Sequence, residues 1–209
     1  MKTVTRRLAL CLFLAVALGG NLRAQFTLSY LSGNSTPASV SGQSFIPGDA
    51  GSFTTGSAFL TGMTFQTGST IDPSYYGVAT YLDVYANSGL TTYVGSSTNS
   101  QTWDAGGTLL TKTWAFDSLE LDKAATYYAV FSTDAVAGAL ATRAVLSSTS
   151  STYAGGALIY SGSITPSYET NFTATFSDSA SAIPEPSTYA VLAGLAAFAG
   201  VIVRRRNRA

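Results

Sequence analysis

The chain has 209 residues, with 11 lysines and arginines balanced by 11 aspartates and glutamates, no histidine and one cysteine. The absence of histidine removes the commonest general base and the commonest transition-metal ligand. These numbers exclude histidine-based catalysis and histidine-based metal binding.

Residues 1–24 have the pattern of a secretory signal peptide. The apolar run Leu8–Leu18 would span only about 17 Å as a helix, too short for a hydrocarbon core of about 30 Å. A cleaved signal is therefore favoured over a membrane helix, and Ala24 is the predicted last residue before cleavage. Because Cys11 lies in the apolar run, the mature protein would have no thiol. The basic residues before the run are Lys2, Arg6 and Arg7.

Most basic residues lie near the two ends of the chain. Between Gln25 and Ala182 there are three basic and ten acidic residues, which gives three minus ten, or −7, for the exported part. An acidic surface repels nucleic-acid phosphates. We therefore expect neither DNA nor RNA as a partner.

The central residues show no long run with a period of 3.6 residues. Short β-branched and aromatic runs alternate there with Gly, Ser, Asn, Asp and Pro, as in β-strands separated by turns. About ten strands are predicted, in chain order Phe26–Leu31, Gln43–Ile46, Ala58–Gln66, Ala79–Tyr85, Thr91–Val94, Thr108–Phe116, Thr126–Thr133, Ala141–Ser147, Ala157–Tyr160 and Asn171–Phe176.

Two local features add to this prediction. The strand Ala79–Tyr85 alternates well and places Asp83 on the same face as two tyrosines, and Thr91–Val94 is predicted to be its hairpin partner. The segment Leu119–Ala124 is predicted to be a turn or a short helical piece.

Evenly spaced strands with polar turns predict an all-β fold, an antiparallel β-sandwich formed by residues 25–176. A jelly roll is the first choice of topology and another sandwich is the second. The pattern alone does not order the strands.

The sequence does not point to an enzyme. A hydrolase without histidine or a mature cysteine would need paired carboxylates or a Ser–Lys pair. Asp117, Glu120 and Asp122 cluster, but the leucines between them indicate a solvated turn. Lys112 and Lys123 do not belong to Ser-x-x-Lys motifs. We therefore expect a non-enzymatic protein.

No cofactor is predicted, and calcium is the one metal for which the residue types are suitable. Asp49, Asp72 and Asp104 lie in predicted loops and offer hard oxygen ligands, but no D-x-D-x-D loop is present.

Aromatic residues offer a sugar-binding alternative. Trp103 and the pair Tyr75 and Tyr76 lie in polar loops and are the predicted ligand-facing aromatics. Trp114 lies in a strand and is predicted to be core, as aromatics of a sandwich usually are.

The end of the chain has three parts in a fixed order. Residues 177–183 form a polar linker, and Pro184, Glu185 and Pro186 follow as an extended, accessible triplet. The apolar run Ala190–Val203 would span about 21 Å as a helix, and the addition of residues 187–189 gives about 26 Å, a marginal membrane span. The positive-inside rule keeps the closing arginines cytoplasmic. These arginines are Arg204, Arg205, Arg206 and Arg208.

This tail, residues 184–209, resembles the PEP-CTERM sorting signal. The matching features are the Pro-Glu-Pro triplet, the apolar helix and the arginine cluster, although Ile183 stands where Val is usual. The resemblance implies a bacterium with a Gram-negative envelope that makes exopolysaccharide. It also implies a membrane enzyme of the exosortase type, which recognises Pro184, Glu185 and Pro186 and processes the tail. The protein is then released or attached to the cell surface or extracellular matrix. A plain membrane anchor is the alternative.

The central part resembles exported β-domains that often precede such tails. The resemblance rests on Gly42–Phe45, on Tyr153–Gly156 and on Asn171-Phe172, where those domains often have Asp in place of Asn171. It implies a fold only. The sequence thus predicts an exported, structural or adhesive protein of an exopolysaccharide matrix, with a carbohydrate-binding module as the alternative.

Overall fold

The computed structural model describes residues 24–32, 36–67, 76–103, 110–134, 137–148 and 153–180. These residues contain a 3₁₀ turn at Pro47–Ala50 and thirteen strands: β1 Gln25–Tyr30, β2 Thr36–Val40, β3 Gly42–Phe45, β4 Ser57–Thr67, β5 Tyr81–Tyr85, β6 Tyr93–Ser96, β7 Leu110–Asp122, β8 Tyr127–Ser132, β9 Arg143–Ser148, β10 Leu158–Tyr160, β11 Ser163–Thr165, β12 Glu169–Thr170 and β13 Phe172–Ser177.

The strands form two antiparallel sheets. In the first sheet the order is β1-β13-β4-β9-β12, with β7 beside β4 and β2 beside β9. In the second sheet the order is β11-β10-β3-β8-β5-β6. The all-β, antiparallel fold predicted from the sequence is confirmed. The first and last strands of the described chain, β1 and β13, are direct neighbours.

Aromatic side chains of both sheets meet in one core. Phe131 of the second sheet lies with its ring 5.1 Å from that of Phe65 in the first, and Phe45 lies 6.0 Å from Phe176 in the same way. Trp114 is fully buried and its ring lies 5.4 Å from that of Phe131. The prediction that Trp114 is core is confirmed. Burial of each such side chain contributes about 1.5–3 kcal/mol, so this core is the main source of stability.

The strand predictions agree well with the structure. Each of the ten predicted strands overlaps a described one, and the predicted hairpin is present because β5 pairs with β6, with Tyr85 opposite Tyr93. The short strands β2, β11 and β12 were not predicted from the sequence. Their two to five residues are too few for an alternation to stand out.

The prediction of a turn or helical piece at Leu119–Ala124 is wrong for its first four residues. Leu119–Asp122 continue β7 and pair with β4, with Leu121 opposite Ala58. The cause is a bulge, since the register shifts between Leu60 and Gly62 and Ser118 has a φ of 50°. Three residues of β7, 116–118, stand opposite Thr61 alone. Across this bulge the buried side chains of β7 change from even positions, Trp114 and Phe116, to the odd position of Leu121, which breaks the alternation in the sequence.

Candidate functional site

The segments Gly42–Phe45 and Tyr153–Gly156, far apart in sequence, are joined by hydrogen bonds. The hydroxyl of Ser44 accepts a bond from the backbone N–H of Ala157 (2.8 Å). The hydroxyl of Tyr153 accepts one from the backbone N–H of Ile46 (2.8 Å). The Tyr153 ring also lies 6.1 Å from that of Phe172 in β13. These contacts bring the residues behind the resemblance to exported β-domains into a single cluster.

Buried amides extend this cluster to the first sheet. The side-chain carbonyl of Gln43 accepts bonds from the backbone N–H (2.9 Å) and the hydroxyl (3.0 Å) of Thr170. Asn171 accepts a bond from the backbone N–H of Ser32 (3.1 Å) and donates to Gln66 (2.9 Å) and to the carbonyl of Ser32 (3.3 Å). A carboxylate could not make the two donated bonds. This explains why Asn, rather than Asp, suits position 171 here.

The cluster is built to hold the sheets together. Gln43, Thr170 and Asn171 are buried. Gln43 of the second sheet is bonded to Thr170 of the first, whereas Asn171 links Ser32, just after β1, to Gln66 in β4 of the first sheet. Burial raises the pKa of the Tyr153 hydroxyl well above its ordinary value, and the carboxylates of Asp49 and Glu169 act in the same direction. The neutral hydroxyl of Tyr153 can therefore hold its own segment against Ile46 through a hydrogen bond.

A second polar cluster surrounds Asp83 on the outer face of the second sheet. In β5, Leu82 and Val84 point into the main core, whereas Tyr85 belongs to a separate apolar cluster with Val130. Asp83 shares the face of Tyr85, because side chains two residues apart in a strand point the same way. It is fully buried. The outer face of the second sheet therefore contains a carboxylate that is shielded from solvent.

Three hydroxyl and carboxyl groups form a chain at this position. The Ser96 hydroxyl donates to Asp83, and the Tyr93 hydroxyl lies 2.7 Å from the Ser96 oxygen. Because Ser96 has a single hydroxyl proton, Tyr93 is the donor to Ser96. The backbone N–H of Gly138 also donates to Asp83 (3.2 Å). The sequence placed Asp83 beside tyrosines but gave no sign of this network.

The pH dependence of stability is predicted to reflect Asp83. Burial raises its carboxyl pKa above the ordinary 3.8, the bonds from Ser96, Ser132 and Gly138 oppose this, and Asp134 adds to the rise. The folded state therefore binds this proton more tightly than the unfolded chain, and deprotonation costs stability. The free energy of unfolding should fall as the pH rises from 3.8 through the raised pKa.

Urea denaturation between pH 3.5 and 8 measures this effect. The fall should be smaller in Asp83→Asn than in the wild type, whereas the exposed Asp117→Asn controls for the change in charge. Parallel pH profiles for the wild type and Asp83→Asn would contradict the assignment.

The prediction that Trp103 faces a ligand is wrong. Trp103 is fully buried, with its ring 5.9 Å from Trp114 and 6.0 Å from Phe131. The Arg143 guanidinium lies 5.6 Å from the centre of its ring, and the indole N–H donates to the carbonyl of Ala144 (3.4 Å). A ring enclosed in this way cannot stack on a sugar.

The other predicted aromatics differ from one another in position. Tyr76 is half-buried, packs against the core and forms a parallel bridge with Trp103. Tyr75 lies outside the described residues.

The acidic candidates do not converge. Asp117, Glu120 and Asp122 are exposed, as predicted, but they lie on strand β7. Asp49 is exposed in the 3₁₀ turn, whereas Asp72 and Asp104 lie outside the described residues. Within the described ranges, no three His, Cys, Asp or Glu side chains are placed to hold a metal ion. Calcium binding stays a prediction.

The predicted terminal signals lie outside the described residues. This applies to residues 1–23 of the signal peptide, to the apolar span, to Pro184, Glu185 and Pro186, and to the arginine cluster. In the part of the chain that the structure describes, no helix has the length and apolar character needed to cross a membrane.

The tail itself matches a known family model. Residues 182–206 match the PEP-CTERM protein-sorting motif, which places the Pro-Glu-Pro triplet, the apolar run and three of the arginines inside the match. Proteins with this motif form a class that is exported as a membrane-anchored precursor, processed by an exosortase and sorted to the cell surface. The chain carries this sorting motif, as its sequence predicted.

Other comparisons add no functional information. No curated protein matches the chain. Among solved structures, the T13 IBDV viral particle is 14% identical with a TM-score of 0.23, and the match covers 79% of this chain and 38% of that one. The VP2 subviral particle of infectious bursal disease virus is 15% identical with a TM-score of 0.19, covering 89% and 47%. The chain spans less than half the length of either.

Proposed function

We propose that the β domain is the non-enzymatic, structural or adhesive part of an exosortase-sorted surface protein. The observation that carries this proposal is the match of residues 182–206 to the PEP-CTERM sorting motif. The domain before it supports a structural role, because its buried polar residues are bonded to one another across strands, as Gln43 is to Thr170. Such a domain offers a stable surface to its surroundings.

The fold that we propose for this role is a β-sandwich. Its support is the aromatic core shared by the two sheets, in which Phe65 meets Phe131. A jelly-roll order of the strands stays a prediction. A sandwich suits an exported protein without a mature cysteine, since a core of this kind is stable without disulfides.

Replacement of Pro184, Glu185 and Pro186 by alanine tests the sorting function. Export across the inner membrane should be unchanged, because the signal peptide is intact, but tail processing should fall to background. The measurement is intact mass of the protein from membrane, surface and medium fractions. The wild type should lack residues 1–24 and the segment after the triplet, and Ser181→Ala is the matched control. Normal mass of the triplet variant would refute the proposal.

Carbohydrate binding is a second candidate, and the outer face of the second sheet favours it. The Tyr93 ring is 36% exposed and packs edge-on against Tyr85, with centroids 5.8 Å apart. The described cations lie elsewhere, since Lys112 and Lys123 are in or after β7 and Arg143 is buried in β9. An exposed ring on a surface without cations suits an uncharged polysaccharide better than an acidic one.

Retention of the mature protein on insoluble neutral glucans tests this candidate. Tyr93→Ala should lower retention up to about tenfold if the ring stacks on sugar, since aromatic stacking contacts are worth roughly 0.5–1.5 kcal/mol and about 1.4 kcal/mol is tenfold in affinity. Tyr160→Ala is the matched control, because this tyrosine is 54% exposed in β10. Equal retention of the two variants, or none by the wild type, would count against carbohydrate binding.

A further inference from the structure

The chain enters and leaves the β domain at the same end. Gln25 at the start of β1 is paired with Ser177 at the end of β13, Ser177 with Phe59 in β4, and Phe59 with Glu120 in β7. These four residues form one row across the first sheet. Neighbouring strands are about 4.8 Å apart, so the row is about 15 Å wide. Ala24, the predicted last residue of the signal peptide, and the last described residues before the sorting tail thus lie at the same end of the domain.

The fold continues beyond β13 toward the tail. The Ser177 hydroxyl donates to the carbonyl of Ser179 (2.7 Å), and the Thr54 hydroxyl donates to Asp178 (3.4 Å). The structure describes the chain as far as Ala180, four residues before Pro184. Four extended residues span at most about 14 Å. An enzyme that binds the Pro-Glu-Pro triplet must therefore come within about 14 Å of this end of the domain.

The surface at this end is acidic. Here we define the tail-proximal end as Ser57, Glu120, Asp122, Ser177 and Asp178. Glu120 and Asp122 are exposed and Asp178 is half-buried, while Lys123 is the neighbouring cation. Anionic lipid headgroups repel such a surface, whereas a basic protein surface complements it. The charge therefore favours a protein partner over the membrane.

We propose that the tail-proximal end is a contact surface for the membrane enzyme that processes the tail, and that Glu120 and Asp178 contribute to this contact. The enzyme thus meets the folded domain as well as the linear motif. The inference rests on the sorting function proposed above and is independent of any adhesive or sugar-binding role. Charge contacts at the rim of an interface act mainly on the rate of association, so the expected effect is on the rate of processing.

The test uses the full chain in its exporting host, followed by pulse-chase of precursor and mature forms. The variant Glu120→Gln with Asp178→Asn removes two charges without adding a cation that could bind lipid. It should be processed several-fold more slowly than the wild type. Asp134→Asn is the control. The first residue of β8, Tyr127, is bonded to Asp122 at the tail-proximal end. Asp134 is exposed and follows the last residue of β8, at the opposite end of this strand. Wild-type processing of the double variant overturns the proposal.

A spacer between the domain and the triplet tests whether slower processing comes from lost contact with the tail-proximal end or from another cause. Insertion of about 20 Gly and Ser residues after Ala180 moves the triplet away by roughly 25 Å on average. Processing should then slow to the rate of the double variant and become insensitive to Glu120→Gln and Asp178→Asn. An equal effect of these substitutions with the spacer present would overturn the contact.

Vesicles containing phosphatidylglycerol test the lipid alternative. The mature wild-type protein should not float with them, and binding that the double variant loses would assign the surface to lipid instead. A different experiment would refute the sorting function itself. That result would be normal processing of the variant in which the Pro-Glu-Pro triplet is replaced by alanine.

Discussion

Replacement of Trp103 by alanine is expected to lower the free energy of unfolding by about 3–5 kcal/mol, the usual cost of truncating a buried aromatic to alanine. The ring is fully enclosed between Trp114 and Phe131 and carries the Arg143 guanidinium over one face. Its loss would leave a cavity in the core shared by the two sheets. It would also remove a cation–π contact from a buried arginine.

Urea denaturation of the mature protein, followed by tryptophan fluorescence and circular dichroism, measures this loss. Trp103→Phe should be less destabilised, because a phenyl ring fills part of the space. Tyr160→Ala, at an exposed position, should change stability by no more than about 0.5 kcal/mol. Unchanged stability of Trp103→Ala together with lost polysaccharide retention would reinstate a ligand-facing role.

The burial of Trp103 was not predictable from its neighbours in sequence. The surrounding residues, TNSQTWDAGG, are those of a polar loop. The partners that enclose the ring come from distant strands, since its indole N–H bonds to Ala144, 41 residues further along the chain. Local composition carries no information about such contacts, and any long aromatic side chain in a loop can fold back onto a core.

The strands were predictable where the two-residue alternation is intact. In β4 the buried side chains follow the alternation on each side of the bulge. The pairing of β5 with β6 was predictable because a short polar loop separates the two strands in the sequence. The alternation failed in β7, where the bulge at Ser118 reverses which positions face the core. Strand order also could not be predicted, because β1 and β13 are joined by pairing between the two ends of the domain.

The sorting motif was predictable because it is linear. Its recognition depends on the order of residues along the chain, and the family match at residues 182–206 agrees with the residues chosen from the sequence. The Asp83 network depends on three dimensions instead. Ser96 lies 13 residues after Asp83, and Gly138 lies 55 residues after Asp83. Nothing in the local sequence links these three residues.

Replacement of Gly42 by alanine is expected to cost about 3 kcal/mol or more, at the upper end of the range for overpacked sites. Gly42 is paired with Val130 in β8 on one side and with Ile159 in β10 on the other. An added Cβ would overlap the carbonyl oxygen of Ala129 and lie 2.8 Å from the Cα of Val130. Both obstacles are backbone atoms, so no side-chain rotation relieves the overlap and β3 must move away from β8.

Gly56→Ala is the matched control for this loss. A Cβ at Gly56 would meet nothing within 4 Å. Gly56→Ala therefore lowers the conformational entropy of the unfolded chain as Gly42→Ala does, but causes no overlap in the folded state. Gly56→Ala should therefore leave the urea midpoint unchanged or slightly raised, while Gly42→Ala lowers it. Equal midpoints would mean that β3 and β8 adapt to a side chain at position 42. Because β3 joins β8 to β10, a true separation should also weaken hydrogen-exchange protection in both neighbours and leave the β1–β13 pair protected.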